Sequence, residues 1–269
     1  MSELRAIFRE DTFSETGGVT DPGGVLASSF TVAIVTAAIG WYLVQNAGWQ
    51  LQHLVTGLIG FIILSALISL LWIARYDGNR FGEANQATLL RAGLVCLIGS
   101  TLLASGQQPE ITWHLFGLTA LALALDGVDG FLARRLNLAT TFGARFDMEI
   151  DALLLMILSL LVWQTGQAGV WVLLIGLIRY VFVAASWFCA RLAAPLRPSF
   201  RRKTVCALQG IALLTCLLPP LDQTMGSAIA FAALTALIAS FGLDIRTLLQ
   251  GALPHRAVAV RTIKEEANT

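Results

Sequence analysis

Charge is what this sequence has least of. Only 13% of its 269 residues are Asp, Glu, Lys or Arg, against about 25% in an ordinary soluble domain. A solvated globular surface is therefore excluded. Cysteine is sparse. Cys96, Cys189, Cys206 and Cys216 are scattered through apolar segments without a C-x2-C pair, which indicates neither a thiolate metal site nor a disulfide framework. His53, His114 and His255 lie far apart, and the first two fall near the face expected outside, so they are poor candidates for cytoplasmic chemistry. A net charge of +1 says little about partners, and no nucleic-acid partner is expected. The first 26 residues are polar and lack the apolar core of a cleavable signal peptide. No internal repeat is evident.

What is present is apolar length. Hydrophobic residues make up 56% of the chain, and runs of membrane-spanning length recur along it. Eight segments stand out, at 27–47, 53–74, 88–106, 112–133, 144–164, 168–190, 204–219 and 225–243. The expected fold is all-α: a polytopic membrane bundle of about eight transmembrane helices. Connections near 48–52, 107–111, 165–167 and 220–224 contain no Lys or Arg. The other connections, both tails and the adjoining helix ends, including Arg91, Arg134 and Arg145, carry all but one of the 18 basic residues. The positive-inside rule then puts both termini and every basic loop in the cytoplasm, at the inner membrane if the source is bacterial. Pro219-Pro220 should end the seventh helix. Residues 16–24 (TGGVTDPGG) read as a flexible loop, and residues 2–13 as a short surface helix or a frayed tail.

Against this background four carboxylates are conspicuous. Asp126, Asp129, Gly130, Ala133 and Arg134 share one face of the fourth helix, and Gly143, Asp147 and Asp151 share one face of the fifth. A short basic turn joins the two helices, so they are expected to be antiparallel neighbours whose polar faces meet. At about 1.5 Å per residue, Asp126 and Asp151 both lie roughly 12–15 Å in from that turn. Ionisable groups at membrane depth mark function by default. Carboxylates are hard oxygen ligands suited to Mg²⁺ or Mn²⁺. Such ions bind phosphate oxygens and neutralise charge developing at phosphorus. Gly130, Ala133 and Gly143 let a bulky ligand approach the backbone, and Arg134 offers a planar fork for a phosphate or a base edge. The sum is a site for a phosphorylated, nucleotide-like ligand with divalent metal.

The pattern D-x2-D-G-x2-A-R-x8-G-x3-D-x3-D, fixed at eight residues between 126 and 151, resembles the signature of the CDP-alcohol phosphotransferases. The resemblance covers about residues 79–245. It implies a core of six transmembrane helices, a homodimer, and transfer of a phosphoalcohol, such as a phosphatidyl group, from a CDP-alcohol to an acceptor hydroxyl with release of CMP. It also implies dependence on Mg²⁺ or Mn²⁺, as two ions. Residue by residue, Asp126, Asp129, Asp147 and Asp151 resemble the metal ligands, with Asp151 also the general base. Asp129, Gly130, Ala133, Arg134 and Gly143 resemble CDP-binding positions. Asn85, Thr88 and Arg91 (N-x2-T-x2-R) resemble the nucleotide-side entry to the family's first helix, although a helix cap with an interface arginine would look the same. The implied organisation is a tail at 1–26, two additional helices at 27–78, the six-helix core at 79–245 and a tail at 246–269. The expected activity belongs to phospholipid biosynthesis. CDP-diacylglycerol is the expected donor and the acceptor alcohol is open.

Three features fall outside the signature. Arg179, the basic residue the charge tally does not place, lies mid-helix and should face the interior, toward the inner end of the acidic cavity. It would bind an acceptor's anionic group there, or form a structural ion pair. Arg201 and Lys203, in the run 197–203, are candidates for the same group, or for anionic lipid headgroups. Glu149 should point about 160° away from Asp147 and Asp151 and pair with a basic residue elsewhere. The competing functional classes are an aspartate-rich intramembrane prenyltransferase, whose acid spacing differs, and a cation- or proton-coupled transporter, which the lack of an inverted repeat disfavours.

Overall fold

The computed structural model describes residues 22–75, 82–103, 109–135, 141–188 and 200–250. Each apolar segment becomes one α-helix: α1 Pro22–Asn46, α2 Leu51–Arg75, α3 Glu83–Ser100, α4 Pro109–Arg135, α5 Thr141–Gln164, α6 Leu173–Phe188, α7 Phe200–Cys216 and α8 Gln223–Gln250. Two 3-10 turns, Thr101–Leu103 and Val170–Val172, extend α3 and precede α6. No strand occurs among the described residues.

Several helices run past their apolar segments. α8 continues through Asp244 and Arg246, and α7 starts at Phe200, so Arg201, Arg202 and Lys203 form its first turn rather than a loop. Apolar length marks the hydrocarbon slab alone, whereas a helix continues into the headgroup layer with polar residues. Pro22 opens α1 and Pro109 opens α4, where a missing N–H costs nothing. Residues 22–24 of the expected loop therefore belong to α1, while 16–21 and the stretch 2–13 lie outside the described residues. Gly48 (φ 67°) and Gly166 (φ 75°) turn the chain between α1 and α2 and between α5 and α6. Only glycine takes that conformation without strain.

The outer surface is apolar. Phe30, Ile63, Leu70, Val181 and Phe231 are each at least 60% exposed, the opposite of a soluble protein and appropriate to lipid. Several hydroxyl groups on the helices bond within their own turns, as Thr31 Oγ1 does to the Ala27 carbonyl (2.9 Å) and Thr235 Oγ1 to the Phe231 carbonyl (2.8 Å). In hydrocarbon no water is present to take those protons. Trp41 and Tyr42 near the end of α1, Trp113 near the start of α4 and Trp163 near the end of α5 are all exposed. Exposed aromatics near helix ends are what an aromatic belt at a membrane interface requires. Four described helices are long and apolar enough to cross a membrane outright, and three shorter apolar stretches accompany them. The protein is an integral-membrane helix bundle.

At its centre stands α3. It packs against α1, α2, α4 and α5, and Leu89, Ala92, Leu94, Val95, Leu97 and Ile98 are essentially inaccessible. Small residues set these close approaches. A Cβ on Gly93 would lie 2.3 Å from Thr36 Oγ1 of α1, one on Gly57 would lie 2.8 Å from Leu97, and one on Gly99 would lie 3.0 Å from Ile157 of α5. α6 packs on α5, α8 on α6 and α7, and α7 reaches both α4 and α5.

Candidate active site

The acidic faces of α4 and α5 converge, as their spacing led one to expect. Both helices also pack on α3, and the side chain at the meeting point is Arg91. Its position can be read from helix geometry. Arg91 lies eight residues into α3, Asp126 nine before the end of α4 and Asp151 ten into α5, so each sits about 12–15 Å from its helix end at roughly 1.5 Å per residue.

Arg91 Nη1 donates to Asp126 Oδ1 at 2.8 Å and to Asp147 Oδ1 at 2.7 Å, while Nη2 donates to Asp151 Oδ1. The guanidinium is 0% exposed, and the carboxylate side chains are 36%, 35% and 25% exposed for Asp126, Asp147 and Asp151. Arginine is thus the floor of the site and the carboxylates are its partly open wall. A charge this deep persists only when paired and hydrogen-bonded, and the planar fork of arginine suits three carboxylates approaching from two helices.

The sequence pattern signalled Arg91 but misplaced it. Counted as a cytoplasmic helix-end charge, it is an internal residue held by acids. Its motif partners Asn85 and Thr88 are buried on the same helix, both 3% exposed. The cap residue of α3 is Gly82, with no side-chain cap hydrogen bond, so Asn85 does not fill a capping role.

One oxygen from each of Asp126, Asp147 and Asp151 lies within 4.8 Å of the others. Oxygens sharing one Mg²⁺ are at most about 4.2 Å apart, twice the ~2.1 Å bond, so a small side-chain movement closes the set. The donors are all hard oxygens and fit Mg²⁺ or Mn²⁺. Asp129, Gly130, Ala133 and Arg134 continue α4, and their side chains lie outside the described residues, as does that of Lys203. Gly143 is half-buried on α5, one turn before Asp147.

The other basic candidates whose side chains are described bond to groups outside this triad. Arg179 Nη2 donates to the Glu149 carboxylate, so the expected lone acid on the far face of α5 and the unplaced arginine of α6 are each other's partners. Arg201 Nη1 donates to the Ser240 carbonyl (2.7 Å) and to Ser240 Oγ (3.1 Å), and its Nη2 donates to Asp244. Arg202 Nη1 lies 4.0 Å from the same Asp244. These contacts tie the first turn of α7 to the end of α8.

Fold and site together define an integral-membrane helix bundle with a carboxylate site inside it. Residues 82–241, more than half the chain, match the CDP-alcohol phosphatidyltransferase family, and the chain belongs to that family. α1 and α2 lie outside the matched region. The CDP-diacylglycerol--glycerol-3-phosphate 3-phosphatidyltransferase of Bacillus subtilis (strain 168) is 31% identical over 105 residues, which span 35% of this chain and 54% of that relative. The chain thus matches about half the length of that curated relative. No solved structure matches. The family assignment disfavours the prenyltransferase and transporter alternatives.

Proposed function

We propose that the protein is a Mg²⁺- or Mn²⁺-dependent transferase of phospholipid biosynthesis, which moves a phosphatidyl group from CDP-diacylglycerol to an acceptor hydroxyl and releases CMP. The observation that carries this reading is the convergence of Asp126, Asp147 and Asp151 from two helices within 4.8 Å, in a chain of this family. Asp126, Asp129, Asp147 and Asp151 would hold the metal. When bound, the metal supplies positive charge to the pyrophosphate and to the departing CMP. Asp151 takes the proton of the acceptor hydroxyl, whose oxygen then attacks the β-phosphorus while the bond to the CMP oxygen breaks. Asp129, Gly130, Ala133, Arg134 and Gly143, with Asn85 and Thr88 on α3, are the proposed CDP positions.

The relative is named for glycerol 3-phosphate as acceptor, which makes that alcohol the first to test. Arg179, Arg201 and Lys203 are the basic side chains proposed for the acceptor's anionic group. The first two hold Glu149 and Asp244 in this structure, so an acceptor anion joins or displaces a carboxylate there. The site is proposed to open to the cytoplasm, in a homodimer. The deciding assay is CMP release by purified protein from CDP-diacylglycerol with glycerol 3-phosphate. Release should stop in excess chelator and return with Mg²⁺ or Mn²⁺. Full activity in chelator would end the metal claim, and CMP release with a different alcohol alone would reassign the acceptor.

A further inference from the structure

Arg91 belongs to none of the eight signature positions, yet its guanidinium bonds to Asp126, Asp147 and Asp151, the carboxylates assigned to metal whose side chains are described. An oxygen that accepts a charge-assisted hydrogen bond from arginine is less available to a cation, because the two positive charges repel and draw on the same lone pairs. Without any cation, three carboxylates this close would repel one another and drive the helices apart. α3 cannot easily withdraw the arginine. Gly93, two residues on and about 160° around the helix, lies against Thr36 of α1, and Leu97 lies against Gly57 of α2. The two helices outside the family match therefore back the helix that carries Arg91.

We propose that Arg91 is a built-in counter-cation of the acidic site. It keeps the carboxylates together before metal arrives and competes with incoming divalent ions for Asp126, Asp147 and Asp151. It thereby trades metal affinity for a folded, preorganised metal-free state. This inference rests on the metal reading proposed above.

The experiment compares wild type, Arg91→Gln and Arg91→Lys, purified in detergent and stripped with chelator. Mn²⁺ binding is followed by electron paramagnetic resonance and thermal stability is measured with and without Mn²⁺. Removing a unit charge bonded to the ligands should tighten Mn²⁺ binding about 10-fold or more. The glutamine variant should melt well below wild type in chelator and recover most of the loss with Mn²⁺, so its metal-induced shift exceeds that of wild type. Lysine keeps the charge but cannot reach all three carboxylates at once. That variant should fold and bind Mn²⁺ more tightly than wild type but less tightly than the glutamine variant. If the glutamine variant does not survive purification, the lysine variant decides alone. Binding by either variant that is equal to or weaker than wild type overturns the counter-cation role. Absence of Mn²⁺ binding in wild type and in both variants overturns the metal reading instead.

Discussion

Arg179 on α6 donates a hydrogen bond to the carboxylate of Glu149 on α5, about 160° around that helix from Asp147 and Asp151. The pair is a strut between two adjacent helices, placed on the back of the helix that carries half of the acidic site. Each substitution, Glu149→Gln or Arg179→Gln, should lower the melting temperature, and the double variant should lose less than the sum of the two. A double-mutant cycle should give a coupling of about 0.2–1 kcal/mol, the range for a partly exposed ion pair. Strict additivity would show that the two side chains are not partners in the membrane.

Asp151 is proposed as the base, and Asp151→Asn should therefore separate binding from turnover. The amide keeps the shape but accepts no proton. Turnover should fall at least ~10²-fold, while CDP-diacylglycerol still binds through the remaining positions. A variant with near-normal turnover removes Asp151 from the proton-transfer step.

Close helix contacts make two glycines respond in opposite ways. A Cβ on Gly176 of α6 would meet the Met156 Cα of α5 at 2.6 Å, a backbone atom that cannot step aside, whereas nothing lies within 4 Å of a Cβ on Gly117 of α4. Gly176→Ala should destabilise by about 1–3 kcal/mol through overpacking. Gly117→Ala should be neutral, or stabilising by up to about 1 kcal/mol from helix propensity. Melting curves of the two variants side by side check both. Equal stability would mean α5 and α6 are not packed this closely.

The charge tally makes a topological prediction. Single cysteines near positions 108, 166 and 222 should react with an impermeant reagent from outside, and those near 78, 138 and 199 only from the cytoplasm. External labelling at 199 would invert the bundle and with it the side on which the acidic site opens.

Eight helices were legible in the sequence because apolar length is a local property: a run long enough to cross hydrocarbon must close its own hydrogen bonds and so must coil. The convergence of Asp126 with Asp147 and Asp151 was legible for a similar reason, since a spacing of three or four residues fixes a face at 3.6 residues per turn. Even the opposed direction of Glu149 followed from its offset. Helix ends were less legible, as at α7 and α8, because polar residues can continue a helix or leave it with equal hydropathy.

What the tertiary structure alone decided is which further helix meets the two acidic faces. Nothing in residues 126–151 indicates that an arginine of α3 joins the acids of α4 and α5. Arg91 meets Asp126 across 35 residues of chain and Asp151 across 60. Such a contact depends on how every helix packs, including α1 and α2, which lie outside the family match but hold α3 in place. The sequence by itself determined that carboxylates would gather at one depth in a membrane bundle. The packing determined that an arginine would be among them, because a buried charge persists only where opposite charges reach it, and Asp126, Asp147 and Asp151 reach Arg91.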